Sequence, residues 1–460
     1  MTHAAPAELT ISPILPASEP PVWGGAVWIG EIWADVVDIA IEHAARQPTP
    51  ARCRLEGSAG FGRARVLIRA ADAPLGYAEL GIADGSVSLD ELWCRVEDLR
   101  RSAASAPAAS GAADCARSKS LSVVICTRDR QEMLRGALES VQALDYPDLD
   151  IIVVDNAAET DATRDYVVGL SDRRIRLIAE PRPGLSKARN AGLLNATGEL
   201  VAFTDDDVLV DQSWLSKILD GFSRGRAVAC VTGVVLAAEL RTPSQVYFDR
   251  LVGWSEITRA RVFDSSDPPS DIPLFPFAVR NYGTGANFAV DRDVVIGLGG
   301  FDEALGAGSS TGGGEDIDMF VRILCAGGQL VHDPAAIVWH RHRVDNDGLL
   351  SQIRSYGTGL GAWLGKVAGD RTTARLAVTA SVRHAPALLR HLAARSATAR
   401  PVSADAAQLP AGIGSGTWRA VLSGALAYRK ARRRGLSPAP LLGIDRRGAD
   451  GPILTGAGQP

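Results

Sequence analysis

Three groups of residues in this chain are of types and spacings that could do chemistry. Asp205, Asp206 and Asp207 follow directly on a short apolar run, residues 200–203, that starts just after Gly198. Such a run reads as a buried strand. Three adjacent carboxylates repel one another, and burial raises the cost of keeping each ionised. A hard divalent cation, with phosphate oxygens completing its shell, would hold them together; a solvated acidic turn is the plain alternative. Asp155 ends a second apolar run, 150–156. The pair Glu315-Asp316 opens a third pattern, in which Ile317, Phe320, Val321 and Leu324 recur at helical spacing. Carboxylates there suit the helix dipole and also suit a general base.

The elements that must position these groups alternate along the chain. Residues 121–126, 150–156, 175–178 and 200–203 read as strands, separated by helical patterns at 133–141, 161–170 and 186–194. That alternation predicts an α/β fold, with a mostly parallel sheet and helices on both faces. Ligands in such sheets bind outside the carboxyl ends of the strands, so Asp155 and the Asp triplet should meet in one crevice. Residues 211–222 read as a helix, 227–238 as one or two strands, 241–280 as a long irregular loop, and 330–342 as a last strand ending in His340 and His342.

Outside this region, 1–101 reads as a small α+β unit without a chemical signature. Its expected elements are an extended stretch to about residue 20, helices at 33–45 and 89–99, and strands at 64–70 and 76–80. Residues 102–119 are an Ala/Ser-rich linker, 120–345 the α/β domain, and 346–460 a basic helical region with a flexible tail.

Composition bounds the rest. With 460 residues, 46% hydrophobic and 22% charged, the chain has the make-up of a multidomain globular protein. Its six cysteines (53, 94, 115, 126, 230 and 325) are scattered, which speaks against zinc or disulfide frameworks and for a cytoplasmic setting. The first 45 residues lack Lys and Arg, so a secretory leader is not expected, and no apolar run is long enough to span a membrane. The net charge of −4 hides an asymmetry: residues 348–460 hold 16 Lys and Arg against 4 Asp. A basic end on an acidic protein points to an anionic partner.

From about residue 121 to 343 the motifs resemble those of a family-2 glycosyltransferase of the GT-A fold. They are Ser122-Val-Val-Ile-Cys-Thr127-Arg128, Val153-Val-Asp155-Asn156, Gly184-Leu-Ser-Lys-Ala-Arg189-Asn190-Ala-Gly192 and Phe203-Thr-Asp-Asp-Asp207. Gly285-Ala-Asn287, Gly299-Gly-Phe-Asp302, Gly314-Glu-Asp316-Ile-Asp318 and Val338-Trp-His340 complete the order. The resemblance implies an inverting transferase that moves a sugar from a nucleoside-diphosphate sugar to an acceptor hydroxyl with a divalent metal, Mn or Mg. It implies that Asp155 contacts the nucleobase, that Thr127 and Arg128 line the nucleotide pocket, and that Arg189 reaches base or phosphates. Asp205 and Asp206 would serve the ribose and diphosphate, with Asp206 or Asp207 as the main metal ligand and His340 as a further one. Asp316 would be the catalytic base, Glu315 would orient the acceptor, and Gly285 and Asn287 would line its site.

The Gln-x-x-Arg-Trp signature of the processive members is missing; the nearest fragment is Gln352-Ile-Arg354-Ser-Tyr356. One sugar per encounter is therefore expected, on a glycan or lipid-linked acceptor in cell-envelope glycan or glycolipid synthesis. Residues 351–369 and 376–395 look helical, and 418–434 mixes Trp418, Leu422, Leu426 and Tyr428 with five Arg and Lys after it. That segment suits either an anionic membrane, at the inner face of the plasma membrane, or a packed helical subdomain with a solvated basic face. No nucleic-acid motif accompanies it. Two rival readings are a sugar nucleotidyltransferase, disfavoured by the lack of Gly after the first strand, and a non-catalytic scaffold, disfavoured by the intact carboxylates.

Overall fold

The computed structural model describes residues 9–46, 51–71, 73–104, 119–146, 148–256, 259–383 and 413–433. In the N-terminal unit, β1 (Leu9–Ile11), β3 (Arg52–Leu55) and β6 (Ser86–Ser88) form one small sheet. A second holds β2 (Val27–Trp33), β4 (Arg63–Ala70) and β5 (Ala73–Gly81). Helices α1 (Ala34–Ala44) and α2 (Leu89–Ala104) complete it. The expected α+β character is present, but α2 runs into the stretch expected to be linker, whose residues 105–118 lie outside the described residues.

The central sheet holds β7 (Leu121–Thr127), β8 (Asp150–Asn156), β9 (Ile175–Glu180), β10 (Leu200–Asp205), β11 (Val208–Val210), β12 (Val228–Ala237), β13 (Arg261–Phe263), β14 (Asn287–Asp291) and β15 (Gln329–His340). Their order is β11-β15-β12-β14-β10-β7-β8-β9, with β13 also on β15. Strands β7 to β10 pair in parallel, and β12 and β15 point the same way, while β11, β13 and β14 run against them. This is the expected mostly parallel α/β architecture. The period of two sorts each strand between layers. Val123 and Ile125 pack with α3 (Gln131–Gln142), α4 (Ala162–Val168) and α6 (Trp214–Phe222). Val124 packs on the other face with α5 (Leu185–Asn195), α8 (Arg292–Gly297) and α9 (Glu315–Cys325).

Register does the positioning. In the parallel quartet Thr127 lies beside Asp155 and Cys126 beside Asp205, so three chain-distant motifs end on one edge. Past that edge the chain turns back as β11, and Val208 pairs with His340. Helix α6 begins only at Trp214, because Asp211 accepts hydrogen bonds from the Ser213 amide and hydroxyl (2.9 and 2.6 Å).

Residues 241–280 are more ordered than expected. Helix α7 (Pro243–Val252) starts at a capping box: the Thr242 hydroxyl accepts from the Gln245 amide, and Gln245 Oε1 accepts from the Thr242 amide, with Pro243 following the cap. Thr-Pro-Ser-Gln is a readable helix start, while the prolines at 268–276 make the wider segment read as irregular. β13 and two short 3-10 turns, Trp254–Glu256 and Val279–Asn281, also fall here.

After the sheet come α10 (Asn346–Gly369), α11 (Arg371–Arg383) and α12 (Ile413–Arg433); residues 384–412 and the tail from 434 lie outside the described residues. A Cβ on Gly361 or Gly365 would strike Val421 or Ala425 of α12, so glycine lets the helices touch backbone to backbone. Beneath them is a buried ionic network. Lys366 Nζ lies 2.8 Å from Asp302 and 2.7 Å from Asp318, Arg322 donates to Asp318 (2.9 Å), and the Tyr428 hydroxyl donates to Asp302 (3.0 Å). Asp302 of the Gly-Gly-Phe-Asp motif is thereby a structural anchor for the C-terminal helices.

Candidate active site

A cavity of about 1210 Å³ opens at the carboxyl edge of the sheet, lined among others by Thr127, Arg128, Asp205, Asp206, Asp207, Glu315, Asp316 and His340. At one end stands the triplet. The Thr127 hydroxyl donates to Asp206 Oδ2 (2.7 Å), and the Arg130 guanidinium forks over Asp206 and Asp207, reaching Asp207 Oδ2 at 2.8 Å. His340 Nε2 lies 3.4 Å from Asp207 Oδ1, and Arg343 3.8 Å from Oδ2. Burial pushes the His340 imidazole down to about 4, so at neutral pH the ring is uncharged and one of its two nitrogens carries a lone pair.

Burial also pushes Asp205 up to about 7 and Asp206 up to about 6. Burial works against the Asp207 charge too, but its cationic neighbours outweigh it and hold that carboxyl below its ordinary value. His340, Arg130 and Arg343 all stand against this carboxyl, and Arg130 and Arg343 are the two fixed cations among them. These residues fit a divalent cation: one ionised carboxylate oxygen and one neutral imidazole nitrogen converge on the cavity. Among the described residues no cluster of three or more ligating side chains forms, which leaves the remaining positions to a ligand's oxygens.

The other end is built on α9. Asp316, half-buried, accepts hydrogen bonds from the Gly285 amide and from the Ile317 amide, both at 2.8 Å. Glu315 is buried and accepts from Arg189 (2.9 Å); burial pushes its carboxyl up to about 7. Gly314 has φ 90°, and a Cβ there would press on the Gly359 carbonyl of α10. The start of α9 is thus seated directly on the C-terminal helices.

Several expected site residues sit differently. Asn287, expected at the acceptor, is fully buried. Its amide donates to the carbonyls of Val234 and Ala336 and accepts from the Trp214 indole, all at 2.8 Å. The pairing of β12 with β15 slips between Gly233 and Val234, opposite Pro334. Proline cannot donate to the ladder, and Asn287 repairs the two carbonyls that the bulge frees. Arg189, expected at base or phosphates, is only 2% exposed. It binds Glu315, the Gly285 carbonyl (2.9 Å) and Asp205 (3.5 Å), over the rings of Phe288 and Phe301. It ties the two ends together. Gly285 lines the cavity, but both its backbone groups serve Asp316 and Arg189. Asp155 is buried at the end of β8, its Oδ1 without a hydrogen-bond partner, and burial pushes its carboxyl up. Arg128 stays exposed and pairs with Glu159 (2.9 Å).

Sequence reasoning missed Arg130, whose signal was an Arg three residues beyond the end of a strand. It also missed Trp254, which stands edge-on to His340 (5.7 Å) from a segment expected to be loop. Gln352 and Tyr356 line the cavity as well, although they do not make the processive motif.

Residues 122–281 match the family described as Glycosyl transferase family 2. The chain is 33% identical over 225 residues to the succinoglycan biosynthesis protein ExoM of Rhizobium meliloti (strain 1021), covering 47% of this chain and 65% of that one. It is 27% identical over 242 residues to the pre-mycofactocin glycosyltransferase of Mycobacterium tuberculosis, covering 52% and 46%. The chain thus spans between about half and two-thirds of the length of these relatives. Among solved structures, a mannosyltransferase of Pyrobaculum calidifontis in complex with GDP-Man and Mn2+ matches with a TM-score of 0.41 at 20% identity, over 69% of this chain and 87% of that one.

Proposed function

We propose, from the premise that this chain carries a glycosyl transferase family 2 domain, that it moves one sugar from a nucleoside-diphosphate sugar to an acceptor hydroxyl with inversion. The observation that carries this reading is the single cavity joining the Asp207–His340 pair to the separate carboxylate Asp316. Asp207 and His340 would hold a divalent cation, which when bound neutralises charge on the departing diphosphate. Thr127 and Arg128 would line the nucleotide pocket, and Asp205 and Asp206 would meet ribose and diphosphate. Asp316 would take the proton of the attacking hydroxyl. One base and one displacement give inversion at the anomeric carbon. Glu315 would act on the acceptor only through its fixed place beside Asp316. The catalytic domain would comprise residues 120–345, with 1–101 and 346–460 as flanking units.

The acceptor we propose is lipid-linked, met at an anionic membrane surface. On α10, Tyr356, Leu360 and Leu364 are exposed at a spacing of four, and Tyr356 and Leu360 line the cavity mouth. On α12, Leu422 and Leu426 are exposed beside Arg419, Arg429, Lys430 and Arg433. Apolar area with flanking cations is what interfacial binding requires. Among the described residues no helix is long and apolar enough to cross a membrane.

The test is release of nucleoside diphosphate from a panel of UDP-, GDP- and dTDP-sugars with Mn2+ or Mg2+, in wild type and in the Asp207→Asn and Asp316→Asn variants. Metal-dependent release by wild type alone supports the reading; release unchanged in both variants overturns it. Flotation with liposomes of anionic against neutral lipid tests the membrane part. Absence of binding at low salt removes it.

A further inference from the structure

Strand β4 of the N-terminal unit faces two ways. Ala64, Val66 and Ile68 pack into the unit's own core, so Arg65, Leu67 and Arg69 point to the opposite side. Leu67 joins Val27 and Ile29 in a cluster with Val234, Leu236, Ile337 and Trp339 of the central sheet. A backbone bridge, Val27 to Leu240, runs along the same seam. The two arginines flank this apolar contact, and each ends on an aspartate of the catalytic domain.

Arg69 grips Asp211 with two nitrogens, at 2.6 and 3.2 Å, both side chains being buried. Asp211 closes the short strand β11, whose first residue pairs with His340 and directly follows Asp207. Arg65 donates to Asp249 Oδ2 at 2.7 Å. The other oxygen of Asp249 faces His342 Nε2 at 3.9 Å, His342 Nδ1 meets His340 Nδ1 at 2.9 Å, and His340 Nε2 faces Asp207. Phe248 and Trp254 wall this row of rings edge-on.

We propose that the N-terminal unit is a positioning module for the metal end of the site, acting through an Arg65–Asp249–His342–His340 relay and an Arg69–Asp211 clamp. The relay rests on the reading of Asp207 and His340 as metal ligands. Its logic is one of ring placement. Asp249 and Phe248 hold the His342 ring, the 2.9 Å contact between the two Nδ1 atoms holds the His340 ring, and His340 Nε2 is thereby kept facing Asp207, where a cation bound to that carboxylate would meet it. Arg65 keeps the Asp249 carboxylate charged and in place, and the clamp keeps Asp207 opposite His340. Arg65, Asp249 and His342 touch no substrate and are positioning residues.

The experiment uses the full chain and reads free Mn2+ by electron paramagnetic resonance during titration, with melting temperatures alongside. In Arg65→Ala and Asp249→Asn the apparent Mn2+ Kd should rise about 10- to 100-fold, the range for lost outer-shell partners of a metal ligand. The KM for Mn2+ in sugar transfer should rise in step, while kcat at saturating Mn2+ stays unchanged. Arg65→Lys keeps the charge without the fork and should recover part of the affinity. Arg52→Ala, which loses contacts to Ser86 and Ala83 inside the unit, should leave Mn2+ affinity unchanged whatever it does to melting. Wild-type Mn2+ affinity in folded Arg65→Ala and Asp249→Asn overturns the relay, as does an equal loss in Arg52→Ala. A wild-type chain that binds neither Mn2+ nor Mg2+ overturns the metal reading itself, and the relay with it.

Discussion

The two ends of the cavity present the same functional group and hold it in opposite ways. Asp206 and Asp207 sit at the end of a buried strand beneath a forked guanidinium, with a threonine hydroxyl and a neutral imidazole completing the contacts. Asp316 sits in the first turn of a helix, reached through glycines, and takes its two hydrogen bonds from backbone amides. A group meant to bind a cation must stay ionised and fixed, and neighbouring fixed charge achieves that. A group meant to accept a proton must be reachable, and a strong cation on it would weaken its basicity. Arg189 joins the two ends without standing on Asp316: it contacts Asp205 and Glu315.

That contrast can be broken experimentally, and the sharpest cut is at the helix end. Asp316→Asn keeps the shape, retains an acceptor for only one of the two backbone amides, and removes the base. Its transfer rate should fall about 10²- to 10⁴-fold, with donor affinity by calorimetry unchanged. A comparable loss of donor affinity would merge the two ends into one.

The next effect concerns how the helix end is supported. Lys366→Met leaves Asp302 and Asp318 buried with less compensation, and breaking such a pair costs about 3–5 kcal/mol. Denaturant unfolding should record that loss, and because α10 seats Gly314, transfer should suffer more than Mn2+ binding.

Asn287 tests the sheet under both ends. Asn287→Ala strands two bulge carbonyls, each worth about 1–3 kcal/mol when left unsatisfied. The unfolding midpoint should drop, while the acceptor KM of the folded fraction stays put, since the side chain does not meet the cavity.

The mildest effect is one of pH at the donor-end clamp. Burial works against the Asp211 charge, but Arg69 and Ser213 outweigh it and hold the carboxyl below its ordinary value. A depressed folded pKa means the stabilisation is complete above the unfolded value, about 4, and is lost as pH falls through the folded one. Unfolding midpoints followed down from pH 5 should decline below about pH 4, and Arg69→Ala should flatten that decline.

Legibility along the chain follows the same division. Strands 121–127, 150–156 and 200–205 were readable because their apolar runs are uninterrupted and their polar ends abrupt. The Asp triplet, Asp316 and His340 were readable as types at motif spacings. The start of helix α7 is legible in its capping box, whereas the prolines at 268–276, well beyond its end, make the segment as a whole read as loop. Asn287 was misread for a deeper reason: its partners are carbonyls freed by a bulge in other strands, and no local pattern announces them.

The sequence by itself determined the alternation of strand and helix, and with it the crevice at the strand ends and the carboxylates that face it. Those depend on hydrophobic period and on neighbours a few residues away. Which aspartate of the triplet meets His340 was decided only by the β11–β15 register, which pairs Val208 with His340 and so brings the preceding Asp207 side chain within 3.4 Å of the imidazole. The same holds for Arg130 over the triplet, for Arg189 between the ends, and for the arginines of β4 behind the histidines. These contacts join residues from sixteen to nearly two hundred positions apart, and a charge finds its partner through packing in space, which sequence spacing does not encode.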